Sequence, residues 1–125
     1  MTKFFDGISE SNQITFDGYE STIYNGISDW LYEEEILFQS NAMWWSSTSD
    51  KLAFIKFNDT LVKLFSFPTY DGTQYDQMNN LRYPKPDTPN PMASLFVYHV
   101  KDGRTVKLNV PDTLVQLFKL VSSYT

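Results

Sequence analysis

The stretch from Ala42 to Phe57 leaves a folding chain the least choice. Ala42-Met43-Trp44-Trp45-Ser46 and Leu52-Ala53-Phe54-Ile55-Lys56-Phe57 are two aromatic-rich apolar runs separated by the polar turn Ser47 to Asp50. Such side chains suit pleated, half-buried surfaces, and a polar turn between two runs of them predicts a strand–turn–strand unit. Composition agrees: aromatic residues make up 17% of the 125 positions and hydrophobic residues 42%. A β-rich fold of one domain or less follows. Trp44, Trp45, Phe54 and Phe57 read as its packing core.

The rest of the chain gives further strands of lower definition. Gln13-Ile14-Thr15-Phe16 and Ser21-Thr22-Ile23-Tyr24 flank Asp17-Gly18, a dipeptide that favours tight hairpins, and read as two short strands. Trp30 to Phe38 has apolar groups at both ends and three acids in the middle, which fits neither period and reads as a short helical or irregular excursion. Val62 to Phe67 reads as another strand. Pro68 to Pro91, rich in Pro, Asn, Asp, Gly and Tyr, reads as a long ordered loop, not a strand, of the kind that carries function or a contact. Met92 to Val100, the turn Lys101-Asp102-Gly103 and the return Arg104 to Val110 predict a second hairpin. Asp112 to Tyr124 suits a terminal helix or a buried strand, with the helix preferred. Strand–turn–strand units with a Trp-Ser step suit a propeller, and equally a single sheet or small sandwich; no second copy of Trp-Trp-Ser is present.

Charge and motif content narrow the function classes. A net charge of -5 with no run of Lys or Arg argues against a nucleic-acid partner and suits an amine-bearing or cationic ligand. The absence of cysteine removes disulfides, thiol catalysis and thiolate metal sites. No window approaches the roughly 18 apolar residues of a membrane span, and charge interrupts Met1 to Gly7 too early for a signal peptide's apolar core. No G-x-S-x-G elbow exists to strain and expose a serine, so no residue is assigned a catalytic role. The single His99 falls in a predicted strand and reads as structural.

Glu33, Glu34 and Glu35 form the one local constellation with a chemical use. An ammonium has three donors, and two carboxylates can accept them as charge-assisted bonds. Attraction at about 4 Å is roughly 1 kcal/mol per pair in water and about 4 at an effective dielectric of 20, so partial enclosure matters. Adjacent side chains do not face one way in a regular helix or strand, so convergence requires an irregular or single-turn backbone. An acidic triplet is ordinarily a solvated turn, and as a metal site it lacks further ligands at suitable spacing. No cofactor or metal is expected.

The flanking residues change this reading. Tyr24-Asn25-Gly26-Ile27-Ser28-Asp29-Trp30-Leu31-Tyr32-Glu33-Glu34-Glu35 closely resembles the signature of the dipeptidyl peptidase IV family of serine exopeptidases. The likeness continues through Trp44-Trp45-Ser46, Leu52-Ala53-Phe54, Phe57-Asn58-Asp59-Thr60, Tyr83-Pro84-Lys85 and Asn90-Pro91, and spans residues 13 to 112. Residues 1 to 12 fit poorly and 113 to 125 do not match, as in a chain truncated or mis-spliced at both ends.

The resemblance implies an all-β chain supplying one to two blades of an eight-bladed β-propeller, stacked in the parent protein on an α/β-hydrolase domain that carries the catalytic triad. It implies that Glu34 and Glu35 hold the free amino terminus of a peptide, with Glu33, Tyr32 and Trp30 supporting them. The fixed distance from amine to nucleophile then sets cleavage after the second residue. An arginine that lines the family's site has no counterpart here, since neither Arg82 nor Arg104 lies in a matching motif. Asn58-Asp59-Thr60 is a glycosylation sequon at a position that often carries glycan in the family, which implies an extracellular or cell-surface parent, secreted or of type II membrane topology. A homodimer remains an open option. Some members keep the acidic run without the nucleophile and act as interaction proteins, and Pro68 to Pro91 would then be the partner-binding loop.

Overall fold

The structure, a computed structural model, describes residues 12–72 and 74–109. In chain order it contains β1 (Ile23–Asn25), α1 (Trp30–Tyr32), a π turn (Glu33–Leu37), β2 (Met43–Trp45), β3 (Lys51–Asn58), β4 (Leu64–Thr69), β5 (Gln77–Arg82), β6 (Met92–His99) and β7 (Arg104–Leu108). All pairings are antiparallel.

β3 is the centre of the main sheet. Leu52 and Phe54, two residues apart, are buried on one face of it, and Phe57, three further on, is buried on the other, so both faces of the strand are covered in part. On one side it pairs along its whole length with β6, from Lys51 opposite His99 to Asn58 opposite Met92, and β6 pairs with β7. On the other side lie both β1 and β2, with Asn25 opposite Lys56 and Met43 opposite Phe54. These two are therefore pieces of one interrupted edge strand. The break is stitched over Ile55: Gly26 N donates to Ile55 O at 2.8 Å, and Ile55 N donates to Ala42 O at 2.9 Å. Everything between Gly26 and Ala42 is thereby thrown out from the sheet as a loop with anchored ends. Gly26 sits at φ +71°, a left-handed backbone that glycine adopts without steric cost.

The expected units around Trp44-Trp45 and around Gly103 are present as β2–β3 and β6–β7. Three expectations need correction. Gln13 to Phe16 forms no strand and makes no hairpin with Ser21 to Tyr24; only a bridge between Tyr19 and Ile23 remains there. The Asp17 carboxylate instead accepts from Asn25 Nδ2 at 2.9 Å and pairs with Lys56, which draws this segment across the sheet. Pro68 to Pro91 is not one loop, because β4 runs through Pro68 to Thr69 and β5 returns as its partner, with Leu64 opposite Arg82. Pro68 is tolerated because every strand of a two-stranded ribbon is an edge, and a proline on the outward side removes no ladder bond. Finally, Phe54 and Phe57 are core, together with Ala42, Leu52 and Val62, but Trp44 and Trp45 are 41% and 55% exposed. They lie on the outer strand of the sheet, where no described element covers them. His99, as expected, is a strand residue at the end of β6. The expected strand residue Val110 and the helix or strand over Asp112 to Tyr124 lie outside the described residues.

Candidate functional site

The acidic run sits on the loop between Gly26 and Ala42, and its root is fixed by polar contacts. Ser28 and Asp29 are buried, which is unusual for such residues and demands partners. Ser28 Oγ donates to Gln39 O at 2.9 Å and Ser28 N to Ser40 O at 2.9 Å, closing the loop on itself. Asp29 is an N-cap: its carboxylate accepts from Tyr32 N at 3.0 Å and its carbonyl from Glu33 N at 2.9 Å. α1 is thus a single capped turn. It widens into the π turn Glu33–Leu37 and stops at Phe38, whose φ of 54° is left-handed.

This settles which kind of backbone carries the acids. A π turn closes wider rings than an α-helix and rotates less per residue, so the side chains of adjacent Glu34 and Glu35 diverge less than on a regular helix. Glu34 and Glu35 are exposed and Glu33 is half-buried. Among the described residues no cation pairs with any of the three. Tyr32 points the other way, its ring 4.5 Å from that of buried Phe57, and Trp30 meets Tyr83 edge-on at 4.8 Å. Trp30 and Tyr32 therefore hold the turn to the body. Asn58 closes β3, and its Oδ1 accepts from Thr60 N at 3.0 Å.

The structure adds residues that the sequence did not single out. Asp59, 2% exposed, lies close enough to Asp29 for their charges to interact. Burial, and next the negative charge of Asp29, push the Asp59 carboxyl up to about 7, while Arg82 opposes the shift. Among the described residues, Asp59 Oδ1 has no hydrogen-bond partner. Burial also raises Asp29, against the stabilising bond from Tyr32 N. The hydroxyls of Tyr24 and Tyr32 are raised mainly by burial and then by the same two acids. Asp29 and Asp59 thus form a buried acidic pair. Asp29 was legible as a helix start, since Asp before an apolar run is a standard N-cap signal. Asp59 carried no such signal, because its burial depends on the path of the chain from β3 into Val62.

Comparison with known proteins places these features in a family. The model of the dipeptidyl peptidase IV (DPP IV) N-terminal region matches residues 2–123. Dipeptidyl aminopeptidase B of Saccharomyces cerevisiae is 45% identical over 93 residues, covering 72% of this chain and 11% of the yeast protein. Inactive dipeptidyl peptidase 10 of Mus musculus is 40% identical over 105 residues, 83% of this chain and 13% of the mouse protein. The crystal structure of Porphyromonas gingivalis dipeptidyl peptidase 4 superposes with a TM-score of 0.73 at 34% identity, over 80% of this chain and 14% of that one. The chain spans only a small part of the length of these relatives. Its main sheet is a propeller blade, interrupted on one edge strand by the acidic loop. By sequence and by fold, the chain belongs to the family of the dipeptidyl peptidase IV N-terminal region.

Proposed function

We propose that this segment anchors the free amino terminus of a peptide through Glu34 and Glu35, within a serine-type dipeptidyl peptidase whose catalytic residues lie in a separate α/β-hydrolase domain. The observation that carries the reading is the pairing of two exposed, adjacent carboxylates with a π turn whose root is capped and buried. Carboxylates that pair with no cation among the described residues, held on a fixed base, suit a primary ammonium. The supporting contacts of Trp30 and Tyr32 keep the base in place.

The test is made on the full-length product of the transcript that carries this segment. Hydrolysis of a Gly-Pro reporter is expected, with an N-acetylated reporter inert. Glu35→Gln is expected to raise KM by roughly 10- to 100-fold, the range for losing a hydrogen bond to a charged group. No hydrolysis, together with a downstream sequence lacking the serine elbow, would sink the peptidase reading.

A second reading is favoured by one finding: inactive dipeptidyl peptidase 10 of Mus musculus matches 83% of this chain at 40% identity. On that reading the parent is a non-catalytic interaction protein that engages its partner through the β4–β5 hairpin. Detectable cleavage of the reporter excludes it. In either case the parent is assigned to the cell surface or the extracellular space, with glycan on Asn58, and a mass loss on enzymatic deglycosylation that Asn58→Gln abolishes is the expected check.

A further inference from the structure

The foot of the β4–β5 hairpin reaches back to the acidic turn by two routes. One is aromatic. Phe65 of β4 lies 6.2 Å from the Tyr83 ring, and Tyr83, directly after β5, meets Trp30 at 4.8 Å with an interplanar angle of 63°. Trp30 is the first residue of α1, which leads straight into Glu33. The other route is polar. Arg82 donates Nε to Ser21 O at 2.8 Å and Nη1 to Val62 O at 2.7 Å, so the end of β5 is tied to the turns on either side of the buried acid pair.

These contacts matter because the acidic turn cannot hold itself. α1 and the π turn together contain no buried residue. One or two turns of helix are not stable in isolation, so their orientation must come from what they pack against. Beyond the Ser28 closure of the loop, the contacts that orient it among the described residues include the Asp29 cap, Tyr32 on Phe57, and Trp30 on Tyr83. The cap and the Tyr32 contact lie within the loop and the blade. The Trp30 contact belongs to the hairpin, an element that is otherwise a separate two-stranded sheet.

We propose that Tyr83, anchored by its neighbour Arg82, is a positioning residue for the amine site: its ring fixes Trp30 and thereby the orientation of Glu34 and Glu35. This rests on the reading of those two acids as the ammonium clamp. The ring is what matters. An edge-to-face contact uses the face and edge of the π-systems, so the Tyr83 hydroxyl is dispensable for it. A clamp that must be ordered by its ligand binds more weakly than one ordered beforehand, so removing the ring lowers affinity without touching any atom that contacts the amine.

The experiment uses the full-length product of the transcript that carries this segment, with exchange read by mass spectrometry. Hydrogen exchange of the Glu33–Leu37 amides is followed without ligand, and the dipeptide Ala-Pro is titrated beside acetyl-Ala-Pro. The expected result is that Tyr83→Phe behaves as wild type. Tyr83→Ala is expected to speed exchange in Glu33–Leu37 and weaken Ala-Pro binding roughly three- to tenfold, with the β3–β6 amides unmoved. If the alanine variant disturbs β3–β6, Tyr83→Leu, which fills the space without a π face, replaces it. Unchanged exchange and affinity in these variants overturn the proposal, as does a wild-type chain without protection in Glu33–Leu37. Failure of the ammonium reading looks different: the wild type would respond equally, or not at all, to Ala-Pro and acetyl-Ala-Pro, while the Tyr83 variants still change the exchange of the turn.

Discussion

Asp59 occupies the middle of the Asn58-Asp59-Thr60 tripeptide, yet it is the flanking residues that are accessible and Asp59 that is buried, beside a second buried acid. Its carboxyl is raised from an ordinary value of 3.8 to about 7, so the folded chain holds this proton more tightly than the unfolded one. The sign follows directly. Its stabilising contribution is complete below about pH 4, falls as pH rises through the interval to 7, and is constant above that. Asp59→Asn keeps the shape and cannot ionise, so it is expected to be more stable than wild type at pH 8 by about 2 kcal/mol and to lose the advantage near pH 4. Hydrogen exchange of the β3 amides in the full-length product, with and without Asp59→Asn at the two pH values, checks this; equal protection of the two at pH 8 would remove Asp59 from the account. Asp29 is also raised by burial, but its carboxylate caps a turn, so its removal acts differently. Asp29→Ala is expected to cost about 1 kcal/mol and to expose the Tyr32 and Glu33 amides to exchange.

At the scale of elements, the feature that matters most is the interruption of one edge strand. β1 and β2 share β3 as partner, and the chain leaves the sheet at Gly26 and re-enters at Ala42. Leaving requires the left-handed φ of Gly26, where the nearest neighbours of an added Cβ, in Met43, stand at ordinary contact distances. The penalty of Gly26→Ala is therefore conformational, about 1–2 kcal/mol, without a steric clash. Loss of the slow-exchanging Gly26 amide together with faster exchange in β2 is the expected signature. The β4–β5 hairpin illustrates the opposite case, where local chemistry misleads. Residues 83–91 are loop, as they read, but Pro68 and the polar residues that follow it also read as loop, whereas Phe65 opposite Leu81 and Ser66 opposite Asn80 pair well enough to make a ribbon. Ser66 Oγ donates to Asn80 Oδ1 at 2.6 Å and Asn79 Nδ2 to Thr69 Oγ1 at 2.7 Å, cross-strand bonds that periodicity cannot reveal.

At the scale of the whole molecule, one blade and one hairpin leave much apolar surface uncovered. Trp44, Trp45, Leu64, Met92 and Leu108 are all exposed, and the outer edges of β2 and β7 have no strand beside them among the described residues. In a propeller each blade packs between others, and the faces of a lone blade lack that cover. The isolated chain is therefore expected to be marginal, to associate through its edges and to bind a hydrophobic dye. A cooperative, monomeric thermal transition in sedimentation and calorimetry would contradict this.

The sequence by itself determined the family, the β-rich class and the central strand unit. These rest on local and contiguous information: an unusual signature from Tyr24 to Glu35, aromatic runs around a polar turn, and a Gly103 turn between β6 and β7. Tertiary structure alone decided which side chains are buried and which segments meet. Trp44 and Trp45 are exposed because they fall on the edge strand, Asp59 is buried because the chain turns inward after β3, and Tyr83 reaches Trp30 across more than fifty residues of sequence. Burial and long-range contact are properties of the packed arrangement. No window of residues short enough to read contains them.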